Sequence, residues 1–252
     1  MHFSEMKNPR PQCRNAFTLI EMLIVIAIMA ILMTAGAIGL GGMGAKNVTS
    51  AVASSESLFD EARTLAIGKN LRSCVLVSKA SKNTPSESLR RIFVATEETN
   101  TDGTAKDPTN DAPNWVLSSR GVLLPDQVYF SQVFSQEEDA SGTKSALEEI
   151  TDSKIKSVKT QQQGTYFIYK FNSQGIRIPK GATPGTVVGR ASFVVGAGSR
   201  NVSDATAKPK AVAGDTRNFG GFIIWRAGNT SMAHAPEQIS SSLKTFKAGD
   251  QF

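Results

Sequence analysis

The chain has 252 residues, enough for one membrane helix and one modest soluble domain. Lys and Arg number 28 against 22 Asp and Glu, giving a formal charge of +6. Two cysteines and two histidines exclude a disulfide framework, a cysteine zinc site and any histidine-rich catalytic or metal centre.

Lys7, Arg10 and Arg14 precede a long apolar run, with Glu5 opposing them. A basic flank ahead of an apolar run is retained on the cytoplasmic side while the remainder crosses. Between Arg14 and Lys46 there are 31 residues with a single charge, Glu21. Leu19 to Leu40 supplies the roughly 20 apolar residues that a spanning helix needs. The run is longer than the apolar core of a secretory signal, about 7–15 residues, and no small-x-small site follows it directly. A carboxylate in hydrocarbon costs roughly 2.5–3.5 kcal/mol on insertion scales, so Glu21 is a functional candidate. Its alternative is a glutamate at the membrane edge, snorkelling or protonated.

The segment RNAFTLIEMLIVIAIMAIL is similar to the class III signal of type IV pilins and type II secretion pseudopilins. The resemblance implies cleavage between Ala16 and Phe17 by a prepilin peptidase, followed by methylation of the new amine. It makes Phe17 the mature N-terminus and Glu21 the fifth mature residue, paired with the N-terminal amine of a neighbouring subunit. The family's usual residue before the cut is Gly, whereas this chain has Ala16; an uncleaved signal anchor is therefore the alternative. The leader, 1–16, takes Cys13 and His2 with it and leaves Cys74 without a disulfide partner. Cys74, in SCVLVS, reads as a buried core thiol.

Gly36, Gly39, Gly41, Gly42 and Gly44 follow the apolar run. Each costs about 1 kcal/mol against Ala in a helix interior, which predicts a soft point near the end of 17–45. Gly39, Gly41 and Gly44 fit GxGxxG, with Glu56 and Asp60 further on. A dinucleotide site is rejected, because the preceding run is too long for a strand and no repeated strand–helix units follow.

Val48 to Lys69 reads as an amphipathic helix. Val48, Val52, Ser55, Phe59, Ala62 and Ala66 recur at spacings of three and four. With the apolar run this makes one helix of about 50 residues, apolar all round in its first half and one-sided in its second. Short β-like runs then alternate with turn clusters: Ser73 to Val77, Arg91 to Thr96, Trp115 to Leu117, Gln127 to Phe134, Thr165 to Phe171, Val187 to Val195 and Gly221 to Arg226. The loop 98–114 gathers Asp102, Asp107 and Asp111. Its spacing does not match the twelve-residue calcium loop, so it reads as solvated. In the long stretch 135–163, Leu147, Ile150, Lys154 and Val158 share a helical face, with Glu148 and Glu149 early and Lys154, Lys156 and Lys159 late. That predicts a helix, with a polar loop as the alternative. His234 reads as a surface turn residue.

The expected class is α+β, a long N-terminal helix on an antiparallel sheet, with 46–252 as the domain outside the membrane. DEARTLAIGKNLRSCVLVS resembles the helix end and first strand of pseudopilin H and FimT-type minor pilins. GVLLPDQVYF, YKFNSQGIR and FIIWRAGNTSM resemble that group's later strands, and the overall size is similar to that of large verrucomicrobial pilin-like cassette proteins. The implied fold is pilin-like. The implied role is a structural subunit, not an enzyme, held in the inner membrane with its domain in the periplasm. Its implied partners are the prepilin peptidase and other pilin or pseudopilin subunits, with no cofactor and no metal. Arg177, Lys180, Arg190, Arg200, Lys208, Lys210 and Arg217 face only Asp204 and Asp215 in sequence. Such a cluster is a candidate phosphate-contact surface, and FimT-type pilins are implicated in DNA uptake. Phe193 is the one aromatic among these residues, which gives base stacking little support, and solvated loop charge is the alternative.

Overall fold

The computed structural model describes residues 19–106, 113–139, 142–156, 158–181, 189–211, 219–233, 238–239, 247 and 249–252. For 31–46 it describes the backbone. The chain divides into two units, Met1–Gly42 and Met43–Phe252, so the division falls inside the glycine-rich stretch. The leader residues, His234, Asp107, Asp111 and Arg217 lie outside the described residues.

Helix α1 runs Leu19–Lys69, 51 residues, and continues through all five glycines of 36–44. Its end is set by Asn70, whose φ of +52° is the left-handed turn that Asn tolerates. Leu71 then donates to the Ala66 carbonyl at 3.2 Å and Asn70 to Ile67 at 3.3 Å, occupying carbonyls that the last turn leaves open. Lys69 lies in that turn, where a cation suits the helix dipole.

The strands follow in chain order: β1 (Ser73–Ser81), β2 (Arg91–Glu97), β3 (Trp115–Leu117), β4 (Val122–Leu123), β5 (Val128–Phe130), β6 (Gln136–Glu138), β7 (Lys144–Ala146) and β8 (Glu148–Thr151). Then come β9 (Ile155–Lys156), β10 (Gly164–Phe171), β11 (Arg177–Ile178), β12 (Ala191–Ser199), β13 (Lys210–Ala211), β14 (Phe219–Ile224) and β15 (Thr230–Met232). The sheet is not single. One sheet has the order β11-β10-β1-β2-β3-β9, with β4 on β2 and β8 on β10. The other has the order β15-β14-β12-β6-β7, with β5 and β13 also on β12. Among the described residues every strand pairing is antiparallel except β3 with β9.

The α+β class and the helix-on-sheet packing expected from sequence are present. Val48, Val52, Ser55, Phe59, Ala62 and Ala66, the predicted stripe, are all buried. They join a core with Val75, Val94 and Phe171 of the first sheet and Val195 and Phe222 of the second. Ser55, the polar member of the stripe, returns its hydroxyl to the Ala51 carbonyl at 2.7 Å. Phe59 is the centre. Its ring meets Tyr169 and Phe171 of the first sheet and Phe193 and Phe222 of the second, all edge-on. The edge-to-face arrangement sets the positive rim of one ring against the negative face of another.

The first sheet is buried on both faces. Val75 and Val77 face the helix, whereas Cys74 and Leu76 belong to a second cluster with Phe93, Trp115, Ile155 and Tyr166. Side chains alternate across a strand, so a strand apolar on both faces reads as a continuous run such as SCVLV.

Several element boundaries differ from expectation. The helix expected over 145–159 is not formed. That stretch is β7, β8, a 3₁₀ turn at Asp152–Lys154 and β9. Glu148 and Glu149 lie opposite Ile168 and Phe167 of β10 and pair with lysines across the strands, and this long-range ladder overrides the local helical spacing. The run Gln127 to Phe134 is a strand only over β5. Gln127 adopts φ +64° and Ser131 opens a turn, its hydroxyl accepting from the Phe134 amide at 3.2 Å. The run expected from Val187 begins at Ala191 and extends to Ser199, while 182–188 lie outside the described residues. Trp225 and Arg226 belong to the turn after β14. That turn touches the one after β10: a Cβ on Gly228, at φ +80°, would run into the Gly175 carbonyl.

Candidate assembly site

The first twelve residues of α1, 19–30, are exposed and apolar around the whole circumference. Leu19 is 83% exposed, and Ile20, Met22, Leu23, Ile24, Val25 and Ile26 are each close to half exposed or more. Consecutive helical residues are spread around the axis, so this is a sleeve rather than a stripe. Contiguous apolar surface of that kind marks a protein or membrane contact. Among the described residues no helix is long and apolar enough to cross a membrane, a statement that does not bear on β-barrels. The span expected over Leu19 to Leu40 extends past Ala30, beyond the described side chains.

Glu21 sits in the first turn of α1 and is exposed. A carboxylate there complements the positive end of the helix. Ala16 and Phe17, the expected processing residues, lie outside the described residues.

The seven cations of the candidate phosphate surface do not stay together. Arg177 is 1% exposed and its Nη1 meets Glu137 Oε1 at 3.0 Å, while Nη2 donates to the Gly189 carbonyl. A guanidinium so enclosed cannot reach a phosphate, and Arg177 is corrected from contact residue to core residue. Glu137 also accepts from the Lys180 amide at 2.9 Å. Burial pushes the Glu137 carboxyl up from its ordinary value, and burial lowers the Arg177 guanidinium. Arg190 Nε donates to Glu138 at 3.0 Å. Arg200 spends its guanidinium on the carbonyls of Pro85, Ser88, Asp204 and Ala207, at 2.6–3.0 Å. Lys180, Lys208 and Lys210 remain exposed. Sequence proximity grouped these residues; the two sheets separate their environments.

In the acidic loop, Asp102 Oδ1 accepts from both the amide and the hydroxyl of Thr104, at 2.9 and 2.6 Å, and these bonds lower its carboxyl. That oxygen serves the turn itself. Among the described residues no group of three or more His, Cys, Asp or Glu could hold a metal ion. Cys74 is free and fully buried, and burial pushes its thiol well above the usual range. It is the core residue that SCVLVS implies.

Sequence reasoning missed a polar node on the same domain. Glu98 accepts from Lys156 at 2.6 Å, Lys106 at 3.0 Å and Asn114 at 3.2 Å. The lysine hydrogen bonds hold its carboxyl at about 2. The partners stand up to 58 residues apart, so no sequence window contains them.

Residues 12–37 match the prokaryotic N-terminal methylation motif. No curated protein matches the chain in sequence. Among solved structures it is similar to two crystal forms of the type IV minor pilin FimU of Pseudomonas aeruginosa. Both are 10% identical, with TM-scores of 0.34 and 0.32; 75% and 73% of this chain and 89% and 91% of the FimU chains are covered. The matched motif takes in the expected processing residues and Glu21 and covers 26 of the 252 residues.

Proposed function

We propose that the chain is a minor pilin-like subunit, a pseudopilin of a type II secretion system or a minor pilin of a type IV pilus. Within that class the pseudopilin H and FimT-type group is the nearest reading. The observation that carries it is the methylation motif over 12–37, which overlaps the exposed apolar start of α1. In this reading the prepilin peptidase cuts between Ala16 and Phe17 and the Phe17 amine is methylated. The positive amine then stands four residues from Glu21, and the carboxylate of one subunit meets the amine of the next. An ion pair formed in lipid offsets the cost of burying either charge alone. The apolar sleeve holds the subunit in the inner membrane, with the domain on the periplasmic side, until neighbouring helices replace lipid around it.

Mass spectrometry of the N-terminus of the expressed full chain tests this reading. A chain beginning at Phe17 with a methyl group on its amine is the expected result. An intact Met1 in cells that contain the peptidase would overturn it in favour of an uncleaved anchor. Of its seven candidate cations, the DNA-binding alternative is left with Lys180, Lys208 and Lys210 as the exposed ones among the described residues, a narrow set for phosphate contact.

A further inference from the structure

The stretch expected to be a helix has a different office. Residues 148–156 run from the β10 edge of the first sheet to its β3 edge as β8, the 3₁₀ turn and β9. Beneath them lies the second apolar cluster, Cys74, Leu76, Phe93, Trp115, Tyr166 and Ile168, to which the crossing segment itself contributes Ile155 and Ile150. Its backbone attachment is slight. β8 pairs with β10 over four residues and β9 with β3 over two. Its charges do the remaining work. Glu148 meets Lys170 at 2.7 Å, Glu149 meets Lys79 at 2.6 Å, Asp152 meets Lys82 at 3.3 Å and Lys156 meets Glu98 at 2.6 Å. In all four pairs one partner is on the crossing segment and the other on the body of the domain.

We propose that residues 148–156 form an ionically latched strap, a local cover that opens ahead of global unfolding and bares the second apolar cluster on the outer face of the first sheet. Three physical points support it. Three of the four pairs are exposed and Glu148–Lys170 is half-buried; exposed ion pairs contribute little each and weaken with salt, so a cover fastened largely by them is screenable. Segments with few backbone bonds and little apolar area open at a fraction of the global cost. The core on the opposite face of the sheet, built around Phe59, takes in Leu147 just before the strap but not the strap's own Ile150 or Ile155, so that core keeps its packing when the strap lifts from Glu148 onward.

Cys74 lies in the cluster under the strap and is the natural reporter. In the full chain in non-ionic detergent, with Cys13→Ser leaving Cys74 as the single thiol, its rate of reaction with a disulfide reagent at fixed pH measures opening. The expected result is a rise of about fivefold or more between about 20 mM and about 1 M KCl, where screening length falls to a few ångströms. Glu149→Lys should give a comparable rise at low salt, and adding Lys79→Glu should return the rate toward its starting value. The thermal midpoint, followed by circular dichroism, should stay within about 3 °C in the charge-swapped protein, because surface changes of this kind shift stability little. A labelling rate indifferent to salt and to both substitutions would overturn the proposal. So would a rate that rises only in step with a fall in global stability. The test concerns the folded domain alone, and its outcome is independent of N-terminal processing.

Discussion

Phe59 of α1 meets Phe222 of β14 edge-on, with ring centroids 5.1 Å apart and planes at 79°. The same ring meets Tyr169 of β10 at 5.0 Å. One side chain therefore ties the helix to both sheets. Removing it should loosen the two sheets together rather than one of them. Phe59→Ala should cost about 3–5 kcal/mol, the range for a large aromatic deleted from a packed core. Urea unfolding should report that loss as a single transition with a lower midpoint. A change under 1 kcal/mol would mean that the sheets hold each other without the ring.

The amphipathic half of α1 was legible because all its partners lie on one side, which leaves a clean 3.6-residue stripe from Val48 to Ala66. The strap was illegible for the opposite reason. Leu147, Ile150 and Val158 fall at helical spacing, but what fixes the segment is its pairing with β10 and its ion pairs to Lys79, Lys82 and Lys170. Those partners are 14–70 residues away, and no local pattern encodes them. The basic cluster failed similarly. Arg177 and Lys180 are three residues apart, yet one guanidinium is enclosed between sheets and the other cation is in solvent. The N-terminal methylation motif was legible because its signal is local, falling within residues 12–37.

The Arg177–Glu137 pair joins β11 of the first sheet to β6 of the second, and both side chains are nearly inaccessible. Breaking such a pair strands a buried charge. Arg177→Met should cost about 3–5 kcal/mol, because among the described residues Glu137 would keep the Lys180 amide as its one donor. Adding Glu137→Leu should recover part of that loss, since a buried ion pair exchanged for apolar side chains of similar volume is often neutral or stabilising, less the bond that the Lys180 amide gives up. Denaturant midpoints of the two single variants and the double variant form the cycle. A double variant as unstable as the sum of the singles would mean zero coupling, and the cost of each substitution would then come from contacts other than the pair.

Glu98 gives the domain an acid dependence with a defined sign. Its carboxyl is held at about 2, below the ordinary 4.5, chiefly by hydrogen bonds from Lys156 and Lys106. A carboxyl lowered on folding contributes stability that is complete above pH 4.5 and is lost as pH falls from 4.5 toward 2. Lys156→Met removes the first-named cause. The Glu98 titration, followed by carboxyl-carbon NMR, should then move upward toward 4.5, and the slope of stability against pH between about 2.5 and 4.5 should flatten. An unmoved titration would assign the lowering to Lys106 and Asn114 alone.

Glu21 carries the assembly prediction. It stands in the first turn of α1, within a sleeve that includes Leu19, Ile20, Met22 and Leu23. Glu21→Ala removes a charge from an apolar segment and therefore favours insertion by roughly 2–3 kcal/mol on insertion scales. If the carboxylate serves only the helix dipole, its loss costs about 0.3–1 kcal/mol of helix stability and nothing more. If it meets the amine of a neighbouring subunit, the variant inserts at wild-type level or above but fails to co-assemble. Membrane fractionation separates the first quantity, and co-purification of the full chain with its filament or tip complex reads the second. Normal insertion with lost co-purification is the expected pair of results. Incorporation at wild-type level would reduce Glu21 to a helix-end charge and remove the intersubunit role.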